Sequence, residues 1–200
     1  MEENFPSQID VSVSDKQNKR NKIISIAVWA VITIALALGA FFFANNFIMR
    51  WPIEGASMEP NVHSGDTVLL FKTKNVDYGN VIVFYLDNAD KYLIKRVIGK
   101  EGDEIKTVYS KSEKRFHLYR NGELLDESYI KEPINGDYRE TTVIVPEDCY
   151  YVLGDNRNLS YDSHSNIFCK EKNIQGIVFM RFADTESGVG SFEFIDSHDK

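Results

Sequence analysis

The sequence predicts an all-β domain, mostly antiparallel, carried on one N-terminal transmembrane helix. Three observations predict it. A single uncharged run, Ile23 to Ala44, is 22 residues long. Beyond residue 50, short β-rich runs follow one another, many of them separated by glycine-containing turns. No amphipathic helical period appears in that same region.

At about 1.5 Å per residue the apolar run makes a helix of about 33 Å, which matches a hydrocarbon core of about 30 Å. A cleaved signal has an apolar core of only about 7–15 residues behind a short basic start. Here 22 residues precede the run, and Leu38–Ala44 stays apolar past the small-residue stretch Ala35-Leu36-Ala37. The run therefore reads as an anchor rather than a leader, and its length fits a bilayer better than a buried core helix. Lys16, Lys19, Arg20 and Lys22 lie before it and only Arg50 follows closely. Basic flanks stay cytoplasmic, so the N-terminus is expected inside and Trp51 onward outside, with Trp51 at the interface. The organisation predicted is residues 1–22 cytoplasmic, 23–44 spanning, and 45–200 extracytoplasmic, with a polar insertion at about 110–140.

The chain has 200 residues, 43% hydrophobic and 26% charged, with net charge −7. That composition is globular rather than disordered, and the mean hydropathy of −0.30 excludes several spans. Residues 1–22 hold four basic and four acidic side chains, so the whole negative charge belongs to the outer domain. With no basic stripe, nucleic acid is not expected as a partner. Coulomb attraction does not draw an acidic domain to an anionic bilayer either. The lipid bilayer is a partner through the apolar run. The four histidines and the cysteines Cys149 and Cys169 have no metal-ligand spacing, and the sequence leaves a disulfide open.

The expected strands are Thr67–Lys72, Val81–Leu86, Tyr92–Ile98, Glu104–Tyr109, Phe116–Arg120, Thr141–Val145, Tyr150–Leu153 and Gly176–Phe182. Asn121-Gly122 is the strongest hairpin signal among the turns. Connected sheets or a partly closed barrel follow.

Two segments point to chemistry. Ser57 sits between small residues and the bend at Pro60, in Ile53-Glu54-Gly55-Ala56-Ser57-Met58-Glu59-Pro60. The stretch misses the G-x-S-x-G nucleophile elbow at its last position. In Tyr92–Gly99, strand alternation puts Leu93, Lys95 and Val97 on one face and Ile94, Arg96 and Ile98 on the other. Lys95 is thus flanked by aliphatics, and burial there lowers a lysine pKa towards the range of a general base. Taken singly, a loop serine is normally just solvated and a strand lysine normally snorkels to water; the pair carries the argument.

With four boxes in order, the chain resembles the type I signal peptidases, membrane-anchored Ser/Lys serine endopeptidases, and their Gram-positive branch in particular. Gly55–Pro60 matches the nucleophile box. Asp77–Phe84 resembles the next, with Asn80 in place of the usual acid. Tyr92–Gly99 with Gly102-Asp103 matches the lysine box, and Gly154-Asp155-Asn156-Arg157-Asn158-Leu159-Ser160-Tyr161-Asp162-Ser163 the last. The resemblance implies Ser57 as nucleophile, Lys95 as general base, and Ser160 as the hydroxyl that orients Lys95. It implies the Ser57 backbone N–H as an oxyanion donor. It makes Arg96, Asp155 and Asp162 structural supports, Asp162 pairing with Arg96. Ile53, Met58, Val62, Leu93 and Ile94 would line shallow pockets for small side chains before the cut. No metal or organic cofactor is implied; the implied partners are the signal peptides of secreted preproteins, cut after Ala-x-Ala-like residues.

Three departures matter. Gly55 carries no hydroxyl where some members have a serine that adds an oxyanion donor. His164 stands where an arginine often joins the Asp162 network, and Asn61 replaces a frequent threonine. Two rivals make different predictions. A silent membrane-anchored β domain assisting surface-structure or pilus assembly would keep its function without Ser57. A related Ser/Lys peptidase that cuts itself or one dedicated partner would not process general preproteins. Polar replacement of Trp51 and Met58, the expected apolar contacts with the bilayer, would weaken activity on membrane-bound precursors most.

Overall fold

The computed structural model describes residues 8–135, 138–183 and 191–195. Contacts divide the chain into two units at Asn46/Phe47. The first is the helix α1, Gln8–Phe47. Its segment Lys16–Phe47 is long and apolar enough to cross a membrane, and its side chains lie open rather than buried in protein. Alanine, isoleucine and phenylalanine dominate it, no proline interrupts it, and Thr33 Oγ1 returns a hydrogen bond to the Trp29 carbonyl at 2.8 Å. The Thr33 hydroxyl is thereby satisfied within the helix.

The second unit is β-rich, as the alternating runs require. Its strands are β1 (Ile48–Pro52), β2 (Thr67–Phe71), β3 (Val81–Leu86), β4 (Lys91–Gly99), β5 (Glu104–Ser110), β6 (Arg115–Arg120), β7 (Glu123–Leu124), β8 (Thr141–Ile144), β9 (Cys149–Leu153), β10 (Cys169–Lys170), β11 (Ile174–Ala183) and β12 (Ser191–Phe194). One sheet runs in the order β1-β2-β11-β3-β4-β9-β10, with β12 added to β11; the other runs β7-β6-β5-β8. Every pairing among these strands is antiparallel. Each of the eight expected runs overlaps a strand. Asn121 (φ 52°) and Gly122 (φ 85°) turn the β6–β7 hairpin, the two left-handed residues that a tight primed turn demands. The polar stretch 110–140 holds the β6–β7 hairpin, and β6 pairs with β5, which also pairs with β8. It therefore supplies two of the second sheet's four strands, β6 and the edge strand β7.

Three apolar clusters hold the domain. One gathers Ile53, Met58, Val62, Val68, Leu70 and Ile94 under the first sheet. A second centres on Phe84, Val97, Val152 and Cys169. The third joins the two sheets through Ile98, Ile105, Leu118 and Leu153. The cysteines are free thiols. Cys169 lies opposite Tyr150 and Cys149 opposite Lys170, so the two thiols face opposite sides of the sheet, where strand alternation keeps them from bridging.

What positions the site is a change of neighbour along β4. Residues Lys91–Arg96 pair with β3 on one edge, while on the other edge β9 pairs only with Arg96, Val97 and Gly99. Among the described residues, no strand covers that second edge from Lys91 to Lys95.

Candidate active site

The Ser57 loop leaves β1 and returns to β2. Its ends are tied by Ile53 N–H to the Asp66 carbonyl at 2.8 Å and Gly65 N–H to the Ile53 carbonyl at 2.9 Å. Its far side is held by the segment after β9. Asn156 donates from its backbone to the Ser57 carbonyl at 3.0 Å and from its side chain to the Ala56 carbonyl at 3.0 Å. Asn61 donates to Asp155 Oδ2 and to the Tyr129 carbonyl, each at 2.8 Å, so the replacement of threonine there adds a strut to the loop. A Cβ at Gly154 would stand 2.4 Å from the Ser57 carbonyl and 2.3 Å from Ser160 Oγ; only glycine lets the backbones approach this closely.

Into this frame β4 delivers Lys95, 2% exposed. Its Nζ lies 2.6 Å from Ser57 Oγ and donates to the Ile94 carbonyl at 2.9 Å. Desolvation lowers its pKa from 10.5 to about 8, against the opposing pull of the Asp162 and Asp155 charges and with a smaller contribution from Lys91. A buried lysine without a bonded carboxylate favours its neutral form. The Ser57 O–H can then donate to the amine lone pair, the geometry of an activated nucleophile. The Ser57 amide makes no hydrogen bond among the described residues. Ser160 Oγ is buried without a partner, beside Gly154 rather than bonded to Lys95.

Arg96, 1% exposed, sits next in the chain. Its Nε and Nη2 clasp Asp155 at 2.9 and 2.8 Å, and Nη1 donates to the Gly79 carbonyl at 2.8 Å. The pairing expected with Asp162 is thus made by Asp155. Register explains the correction: Arg96 lies opposite Leu153, and Asp155 follows two residues on, with the same parity as Leu153. Asp162 instead caps the short turn Ser163–Ser165, accepting from Gly154 N–H at 2.9 Å and His164 N–H at 3.1 Å. The His164 ring stacks on Tyr138 at 3.8 Å.

A cleft of about 520 Å³ opens at Ser57 and Lys95, walled by residues 50–54 and 91–95. Ile53, Leu93 and Ile94 line it as expected. Met58 and Val62 do not: at 1% and 0% exposure they lie in the core, which also removes Met58 as a contact for the bilayer. The walls missed by the sequence reading are Trp51 and Tyr92. Period-two alternation from Ile53 and Ile94 would have found both. Among the described residues, no three His, Cys, Asp or Glu side chains cluster to hold a metal. A roomier cleft of about 590 Å³ lies between the β6 start and residues 124–134, away from Ser57 and Lys95.

Known proteins carry the same pattern. The family model described as "Signal peptidase, peptidase S26" matches residues 23–183. The chain belongs to this S26 signal peptidase family. It is 34% identical over 173 residues to signal peptidase IB of Staphylococcus aureus, covering 76% of this chain and 87% of that protein. It is 32% identical over 183 residues to a probable signal peptidase I-2 of Synechocystis, covering 86% of this chain and 79% of that one. A solved signal peptidase I from Enterococcus faecalis shares 29% identity, with a TM-score of 0.43, over 52% of this chain and 96% of that chain. As an S26 member the chain is a serine peptidase, and the apolar helix over Lys16–Phe47 fits a membrane-anchored signal peptidase.

Proposed function

We propose that the chain is a signal peptidase I that removes N-terminal signal peptides from secreted preproteins at the outer face of the cytoplasmic membrane. The observation that carries this reading is the 2.6 Å contact between Ser57 and a buried Lys95 that has no bonded carboxylate. Lys95 in its neutral form takes the Ser57 proton as Oγ attacks the carbonyl carbon of the scissile bond. The ammonium so formed gives that proton to the departing amine, leaving an acyl-enzyme. Lys95 then activates water to release the signal peptide and restore Ser57. The free Ser57 amide donates to the oxyanion. Ser160, unpartnered beside Gly154, is the hydroxyl that orients Lys95 through the cycle; Arg96, Asp155 and Asp162 brace the loop and strand.

The substrate adds as a strand along the bare edge of β4, where backbone bonds give affinity and pockets give specificity. Ile53, Leu93 and Ile94 select small side chains, so cuts fall after Ala-x-Ala-like residues. Residues 1–22 lie inside, 23–44 span, and 45–200 act outside, following the basic flank Lys16, Lys19, Arg20 and Lys22.

The test is incubation of the detergent-solubilised full chain with a secreted preprotein, followed by sequencing of the new N-terminus. Wild type is expected to cut once, after the small-residue pair, and Ser57→Ala not at all. A Ser57→Ala protein that cuts at the wild-type rate overturns the reading and favours a contaminating or non-serine activity.

A further inference from the structure

We infer that Tyr129 is a positioning residue for the reaction: its ring, seated on Arg96, fixes the backbone carbonyl that holds Asn61 and so keeps Ser57 within reach of Lys95. The inference rests on the proposed function and adds to it a residue from the polar stretch 110–140, outside all four motifs. Tyr129 is 7% exposed, and it touches the nucleophile loop, the lysine strand and the segment after β9. Its carbonyl accepts from Asn61 Nδ2 at 2.8 Å, on the loop that carries Ser57. The Arg96 guanidinium, next in the chain to Lys95, lies over its ring at 4.3 Å from the centroid. Its hydroxyl accepts from Arg157 Nη2 at 3.3 Å. Arg157 Nε in turn donates at 3.0 Å to the carbonyl of Gly154, whose backbone is packed against the Ser57 carbonyl.

Ser57 and Lys95 come from separate elements, so their 2.6 Å contact needs a part that registers the loop on the strand. Arg96 is the fixed point, clasped by Asp155 and the Gly79 carbonyl. A guanidinium is attracted to an aromatic face, which seats the Tyr129 ring in register with the residue beside the base. Asn61 then closes the link. Its Nδ2 donates to the Tyr129 carbonyl and to Asp155 Oδ2, two groups that Arg96 itself touches. Behind Tyr129 the segment lies open: residues 124–128 and 130–134 line the cleft of about 590 Å³, and Tyr129 does not. The inward ring, rather than packing from behind, therefore holds the carbonyl in place. Lys131 adds a backbone bond to the Asp155 carbonyl at 3.0 Å and an ion pair with Glu59 at 2.7 Å. Both ends of that pair reach water, where such pairs contribute little. Burial pushes the Tyr129 phenol above its ordinary value, so it stays un-ionised and enters no proton transfer.

The experiment uses the full chain in detergent with a secreted preprotein, and reads kcat, KM and the midpoint of the pH–rate profile. Tyr129→Leu is expected to lower kcat by about tenfold to about 10²-fold, the scale on which a displacement of about 1 Å acts. KM should stay within about twofold and the midpoint at its wild-type value, because a neutral side chain is removed and Lys95 stays buried. A general loosening would instead hydrate Lys95 and move the midpoint up towards that of an ordinary lysine; that result overturns the positioning role. Tyr129→Phe keeps the ring and is expected to hold kcat within about threefold of wild type, and Lys131→Ala within about twofold. Asn61→Ala should reproduce the loss in kcat at constant KM. The double variant Tyr129→Leu with Asn61→Ala should be no slower than the slower single variant, since both break one path; losses that multiply overturn the inference. If Tyr129→Leu does not fold, Asn61→Ala carries the test, and a kcat within about twofold of wild type overturns it. Wild type that cuts no preprotein counts against the proposed function, and the positioning role falls with it. Wild type that cuts, with Tyr129→Leu equally fast, counts against Tyr129 alone.

Discussion

Lys95 and Arg96 are adjacent cations on one strand, both withdrawn from water, and the protein treats them oppositely. Arg96 receives a bidentate carboxylate and a carbonyl, and the Tyr129 ring lies 4.3 Å from its guanidinium. Lys95 receives a carbonyl and a hydroxyl but no bonded carboxylate. Burial with a matched counter-ion makes a strut, because the ion cannot leave without stranding its partner. Burial without one makes a base, because the ammonium gives up its proton to escape the desolvation. The one-residue offset exploits strand alternation: the two side chains leave β4 on opposite faces, so one carboxylate, Asp155, serves the arginine without bonding the lysine.

The largest expected effect comes from erasing that difference. Lys95→Arg keeps the positive charge and much of the length, but a guanidinium stays protonated at any working pH. Cleavage of a preprotein is expected to fall by about 10⁴-fold, as far as in Ser57→Ala, since groups that act as one unit fail together. Substantial activity in Lys95→Arg, measured by single-turnover cleavage, would show that charge rather than proton transfer is what position 95 supplies.

The strut gives the next effect, on stability. Asp155→Asn leaves Arg96 buried opposite a neutral amide, and breaking a buried pair from one side costs about 3–5 kcal/mol. The denaturation midpoint of the β-rich unit should drop accordingly. Replacing both partners, Arg96→Met with Asp155→Leu, should recover part of the loss, because no unpaired ion remains. Equal midpoints for single and double variants would mean that the carboxylate holds the loop through Asn61 more than it holds Arg96.

Much of this contrast is legible in the sequence, and the rest fails for definite reasons. β-branched and aromatic runs mark eight strands because each packs at least one face on a core, and β3 packs both. The other four strands escape. β1 is five residues interrupted by Arg50 and ended by Pro52, β7 and β10 are two residues long, and β12 is defined only by its pairing with β11. Ser57 and Lys95 stand in contiguous motifs and can be read directly. The partner of Arg96 cannot, because Asp155 and Asp162 share one motif and only the register of β4 against β9 decides between them. Met58 looks like a pocket residue by proximity to Ser57, yet a turn of the loop directs it into the core.

The smallest effect is the sharpest test of how Lys95 is tuned. Its pKa of about 8 means that kcat/KM should climb about tenfold per pH unit below that value and level off above it, since the neutral amine is the active form. The sign of each neighbour follows from its charge. Asp162 favours the ammonium and holds the value up, whereas Lys91 disfavours it and pushes the value down. Asp162→Asn should therefore move the rising limb to lower pH, and Lys91→Gln should move it to higher pH by a smaller amount. Both are read as midpoints of a pH–rate profile, so a change in the plateau does not obscure them. Shifts of the same sign in the two variants would mean that the midpoint reports loop packing and not the charge at Lys95. Opposite shifts would show that the lysine is held near its working pH by a balance in which desolvation dominates and distant, unbonded carboxylates only trim the result.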